Sequence, residues 1–110
     1  MPKFVTIGYG DETGYQRTDD AALYAAHAHD KTLREAGVEM GIARSPVQVR
    51  NHDDLGVKTE DGSFMQTALP LAGFAIIEAD TLEDAVAMAS KSPCAVAQGV
   101  IEVWPLQDTP

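Results

Sequence analysis

Residues 71–79, LAGFAIIEA, are apolar on both alternating sides, with Leu71, Ala75 and Ile77 on one and Ala72, Phe74 and Ile76 on the other. A strand of that pattern has no face suited to water, so it predicts an inner strand covered twice, once by the chain's own helices and once by something else. The next segment reads as a helix. In DTLEDAVAMASKSP, Thr81 and Asp84 stand at capping-box spacing, an apolar stripe runs through Leu82, Ala85, Val86 and Ala89, Lys91 occupies the last turn, and Pro93 supplies the stop. QGVIEVWPL then returns as a strand with Ile101 and Val103 on one side and Val100, Glu102 and Trp104 on the other.

Upstream of the inner strand, Asp61-Gly62 in VKTEDGSF is a hairpin-turn dipeptide, preceded by the polar loop HDDLG. Before that lie two extended segments, Val38 to Ala43 and Val47 to Arg50, separated at Ser45-Pro46 because proline cannot donate to a ladder. A helix is predicted from Thr18, as N-cap, to Ala36, with Gly37 in the left-handed position that ends it. Lys3 to Tyr9 is a β-branched and aromatic strand that stops at the turn-forming Gly10-Asp11-Glu12-Thr13-Gly14. Strand, helix, strand pair with hairpin, strand, helix, strand is the order of an α+β, ferredoxin-like βαββαβ domain, with two helices on one face of an antiparallel sheet; residues 1–110 make one domain.

Two helices cover one sheet face, which leaves Phe4, Phe74, Ile76 and Trp104 on the other as a patch larger than monomers tolerate. A second copy laid sheet to sheet is the natural cover, and Thr6, Glu78 and Glu102 on the same face make the cleft between the sheets partly polar. Eight Lys and Arg against seventeen Asp and Glu, a net charge of -9, leave no basic stripe for phosphates, so no nucleic-acid partner is expected. No run of eighteen apolar residues exists to cross a membrane, and the apolar run at the N-terminus is too short for a signal-peptide core. One cysteine, Cys94, suits a reducing compartment, and a cytoplasmic location is expected.

The helix carries AAHAHDKTLREAG. At about 100° per residue, His27 and His29 lie roughly 200° apart and cannot share a metal; His29 falls among Ala22, Ala26 and Leu33 and is expected half-buried on one partner. His27 and Asp30 share a flank about 60° wide and could hydrogen-bond along it, but spacing alone leaves a solvated polar strip and a proton-transfer pair equally open. His52, in RNHDDLG, reads as a surface-loop residue, and Cys94 as a packed thiol. No metal-ligand spacing, phosphate-binding glycine loop or nucleophile elbow is present, so no metal or cofactor is expected.

In order along almost the whole chain, IGYGDE, HAHDKTLREAG, EDGSF, LAGFAIIEADTLEDAVAMA and SPCAVAQGVIEVWPL resemble the YCII-related family, closest to its DGPF branch. The resemblance implies a ferredoxin-like domain that dimerises through its sheets as a dimeric α/β barrel, with His27 as the helix histidine of a His-Asp pair acting as general base or acid. Two positions depart from the pattern. Asp-Gly-Pro-Phe is Asp61-Gly62-Ser63-Phe64 here, and the acidic residue expected before the tail proline is Ser92. Asp30, Asp11 or Asp61 could take the missing acid's place. The resulting candidates are His27, Asp30 and Asp61 for catalysis and Phe4, Tyr9, Phe74 and Trp104 for a ligand in the inter-sheet cleft. Two functions fit: an acid/base enzyme of lyase, isomerase or dehydrochlorinase type on a small organic molecule, or a non-catalytic ligand-binding or regulatory dimer. A purely structural interaction module is a third, suggested only by the apolar face.

Overall fold

The computed structural model describes residues 1–107. Four antiparallel strands form the main sheet: β1 (Lys3–Tyr9), β2 (Glu39–Ile42), β5 (Leu71–Glu78) and β6 (Val100–Pro105), in the spatial order β2-β5-β1-β6. The strand that is apolar on both sides and the N-terminal strand therefore occupy the centre, where both faces need cover. Between β2 and β5 the chain leaves the sheet as a two-stranded hairpin arm, β3 (Val47–Arg50) paired with β4 (Lys58–Asp61).

Helices α1 (Glu12–Gln16), α2 (Asp20–Glu35), α3 (Leu82–Ala89) and α4 (Pro93–Val96) complete the mixed α/β fold. Asp19, not Thr18, caps α2, its carboxylate accepting from the backbone N–H groups of Ala21 and Ala22. Thr18 instead donates to Gly14 O and closes α1, the helix that forms where a simple turn is predicted. Gly37 takes the left-handed conformation beyond α2, at φ 96°. Thr81 accepts from Asp84 N at the start of α3, as the capping-box spacing requires. Pro93 does more than stop α3, since it also starts the single turn of α4.

Cross-strand partners share a face, so the register assigns each side chain. Phe4 lies opposite Ile77 and Thr6 opposite Ala75 and Val103, and this side meets α3 in a core of Phe4, Ile77, Ala79 and Ala85. The expectation that Phe4 and Thr6 sit on the second face is therefore corrected: Phe4 is 4 % exposed and belongs to the helix-covered core. The physical reason is that alternation has period two, so the sides of a strand are interchangeable until pairing fixes them. Val5, Ile7 and Tyr9 of β1 take that place, beside Phe74, Ile76, Glu102 and Trp104. Phe74 and Trp104 do face outward, 46 % and 54 % exposed. A bulge between Gly8 and Tyr9 also brings Leu71 opposite Tyr9 and away from the side of Ala75 and Ile77.

Asp61-Gly62 does not turn the hairpin. The reversal is made at residues 51–57, and Gly62, at φ 100°, ends the arm with its N–H donating to Pro46 O. The competing loop won because Asn51 ties it on both sides, donating to Asp54 Oδ1 at 3.0 Å and accepting from Gly56 N at 3.1 Å. Among the described residues, no helix is long and apolar enough to cross a membrane.

Candidate functional site

The α2 flank that carries His27 and Asp30 lies over the sheet near its β2-β5 edge. A cavity of about 260 Å³ separates the two, lined by His27 and Asp30 from α2, Tyr15 from α1, and Ser92 and Cys94 at α4, with apolar walls that include Met40, Ile77 and Met88. α4 comes this close because β1 has a glycine there: a Cβ on Gly8 would meet Cys94 Sγ at 2.9 Å.

Asp30 turns inward. Among the described residues its buried Oδ1 has no hydrogen-bond partner, so the carboxylate and His27 are not bonded through it. Burial pushes the Asp30 carboxyl above the ordinary carboxylate range, opposed by the positive ends of His29, Arg34 and His27. The same desolvation, followed by the nearness of Asp30, raises the Cys94 thiol. Tyr15 is raised first by burial and then by the charges of Cys94 and Asp30. Three acidic groups thus sit close together in a place that disfavours negative charge on any of them.

His27 is exposed at the mouth, its ring stacked on that of Tyr15 with centroids 6.0 Å apart and planes 9° from parallel. His29, two residues on, points elsewhere and is half-buried. Its Nε2 stands 2.8 Å from Met88 O; since a carbonyl only accepts, that nitrogen carries the proton and ties α2 to α3. His52 lies exposed at the arm tip.

Asp61 ends β4 on the arm, exposed, and does not line the cavity of His27. Asp11 caps α1, its carboxylate accepting from Gly14 N at 2.9 Å, and is likewise absent from the cavity wall. Of the three possible replacements for the missing acid, Asp30 alone shares the cavity with His27, and Ser92, the position where the acid is expected, lines it too. Tyr15 and Cys94 complete the polar wall. The sequence flagged Cys94 only as a packed thiol, and Tyr15 carried no signal, since nothing in a linear reading brings α1 beneath α2.

Of the aromatic candidates, Tyr9, Phe74 and Trp104 lie on the other face, while Phe4 is in the helix-covered core. Tyr9 and Phe74 line an open cleft of about 1160 Å³ between the sheet and the arm. Tyr9 is buried there beneath Met65 and donates to Glu102 Oε1 at 2.8 Å, a bond that, with burial, raises its hydroxyl above the usual tyrosine value. Trp104 Nε1 donates to the same oxygen at 3.3 Å and stands outside the cleft wall, as does Phe4. Among the described residues, no three His, Cys, Asp or Glu side chains converge as a metal-ligating group.

These features define a small mixed α/β protein with an antiparallel sheet, helices on one face, and a ligand-sized cavity under its longest helix. The YCII-related domain model matches residues 3–109, and the chain belongs to that family. No curated protein matches the sequence.

Proposed function

We propose that this protein binds a small organic molecule in the cavity beneath α2 and transfers a proton to or from it, with Asp30 as the acid/base group and His27 as the ionisable group at the mouth. One observation carries the reading: Asp30 Oδ1 is a buried acceptor with no hydrogen-bond partner among the described residues, and it lies in the wall of a cavity that also holds His27. A buried oxygen left unpaired costs about 1–3 kcal/mol, a cost relieved when a ligand donor reaches it. A carboxyl displaced upward by burial also moves toward the neutral range in which proton transfer works well. Asp30 thereby replaces the acid that Ser92 lacks, from a different element but on the same cavity.

The wider assembly belongs to this proposal. The order β2-β5-β1-β6, with helical connections after the first and third of these strands in sequence, supports reading the chain as a ferredoxin-like βαββαβ domain. The exposed Phe74, Ile76 and Trp104 support a second copy packed sheet to sheet, as in a dimeric α/β barrel. Gly62 at φ 100° fits the DGPF-like branch, whose motif keeps the glycine while Ser63 replaces the proline.

The experiment is a screen of small carbonyl compounds, by ligand-observed NMR in D2O, for binding and for exchange of the protons next to the carbonyl. Exchange catalysed by the native protein and lost in Asp30→Asn, with binding retained, is the expected result. Binding with no exchange would favour the second reading, a non-catalytic ligand-binding or regulatory dimer, which the exposed position of His27, not hydrogen-bonded to Asp30 Oδ1, also supports.

A further inference from the structure

The cavity beneath α2 has a charged rim and an uncharged depth. His27, Asp30 and Arg34 follow one another at spacings of three and four residues, which puts them on one flank of α2, and all three line the cavity. Opposite them the sheet is nearly bare of side chains, because Gly8 and Gly73 are cross-strand partners and Thr6 faces Ala75 in the next row. Leu33, Met40, Ile77 and Met88 make the other walls apolar. At about 260 Å³ the cavity lies just below the ~300–1,000 Å³ of sites for drug-sized molecules, so its occupant is smaller than those.

Arg34 and Ile42 line the same cavity yet are open to solvent, Ile42 being 88 % exposed, so both belong to the rim. On the helix beside Arg34, Lys31 and Glu35 pair with each other at 4.0 Å, and Arg34 itself forms no ion pair among the described residues. A cation suits the last turn of any helix, but that role does not call for a place in a cavity wall. An unpaired guanidinium there offers a fork of N–H donors that matches the two oxygens of a carboxylate.

The depth rejects what the rim accepts. Asp30, Cys94 and Tyr15 all resist negative charge there, and an anion drawn in among the apolar walls would give up its water without gaining a partner. A ligand carboxylate therefore stays at Arg34 while an uncharged polar group goes in to Asp30 Oδ1, which accepts from a hydroxyl or, protonated, donates to a carbonyl. Arg34 lies four residues beyond Asp30, a rise of about 6 Å along the helix. An extended chain covers about 1.2 Å per bond, so about five bonds separate the two ligand oxygens.

We infer that the molecule bound beneath α2 is a small oxo or hydroxy acid, its carboxylate held by Arg34 at the rim and its carbonyl or hydroxyl oxygen, about five bonds away, on Asp30. Arg34 is then the residue that sets specificity. The inference rests on the cavity reading proposed above and adds the substrate class to it.

Three probes test it: 4-oxopentanoate, which has this spacing; its methyl ester, which lacks only the charge; and 2-oxopropanoate, which is too short. Their affinities are measured by titration calorimetry for the native full chain, Arg34→Gln and Arg34→Lys, with circular dichroism confirming that each variant is folded. The native protein is expected to prefer 4-oxopentanoate about tenfold or more over both other probes. Arg34→Gln should bind acid and ester alike, and Arg34→Lys should keep part of the preference, since it retains the charge without the fork. The acid-to-ester ratio is a readout that a lost helix-dipole contact does not move. Equal native affinity for acid and ester or for the short acid, a preference that survives Arg34→Gln, or no binding of 4-oxopentanoate overturns the inference. Proton exchange on the bound ketone in D2O is scored separately: acid preference without exchange removes proton transfer and leaves Arg34 its role, whereas exchange without acid preference does the reverse.

Discussion

At Asp30 binding and stability oppose one another. The folded protein holds this carboxyl above its ordinary value, so through the window between the unfolded value, about 4, and the raised folded one, the native state keeps a proton that the unfolded chain has lost. Stability contributed by this group therefore falls as pH rises through that window. Asp30→Asn should raise the free energy of unfolding at pH 8 by about 0.5–1 kcal/mol, because the amide keeps the shape and removes the desolvated charge, a small gain since the side chain is partly solvated, and the gain should vanish below about pH 4; urea melts at the two pH values check both. The two neighbouring histidines should separate in the same assay at pH 8. His29→Ala removes the hydrogen bond that Nε2 makes to Met88 O and should cost about 1 kcal/mol, whereas His27→Ala, at an exposed site where the ring stacks on Tyr15, should stay within about 0.5 kcal/mol. Helical angle alone was enough to set these histidines about 200° apart in the sequence; the structure shows His29 bonded to Met88 of α3 and His27 lining the cavity. Helical angle could not say that Asp30 points inward unpaired, because that depends on what α2 packs against.

α4 crosses β1 closely at Gly8. Gly8→Ala would place a methyl 2.9 Å from Cys94 Sγ and 3.3 Å from its Cβ, so it should destabilise by about 1–3 kcal/mol. In a Cys94→Ala background much of that cost should disappear; a double-mutant cycle in urea giving strictly additive losses would place the strain elsewhere. The element boundaries were largely legible because their signals are local. β1, β3, α3 and the left-handed Gly37 follow from β-branched runs, a capping threonine and a glycine at a helix end. Where two local signals competed, the linear reading chose wrongly. Thr18 and Asp19 are both capping residue types, and Asp19 prevailed because Thr18 was drawn to Gly14 O by a short helix that the sequence disguises as a turn. Asp61-Gly62 is as good a hairpin turn on paper as residues 51–57, but the side chain of Asn51 secures the latter.

For the whole molecule, the radius of gyration of 16.0 Å exceeds the ~13 Å of a compact chain of this length, since the arm stands away from the sheet and helices. Ile76, on the open face, tests the assembly: Ile76→Asp should leave the far-UV circular dichroism unchanged and shift the protein to monomer in sedimentation velocity, because a carboxylate there faces water in one copy and an apolar sheet in two. The sequence by itself determined the strands and the two longer helices, the dual apolar character of residues 71–79, and that His27 and His29 lie on different sides of their helix, all of which follow from periodicities of 2.0 and 3.6 residues and from local capping chemistry; the short helices α1 and α4 escaped it. Only the tertiary structure decided that Phe4 belongs to the core while Val5, Ile7 and Tyr9 turn outward, and that Tyr15, Asp30, Ser92 and Cys94 share a wall. Strand register and helix packing join residues far apart in sequence, and a one-residue slip in either would exchange the two faces without altering any local preference.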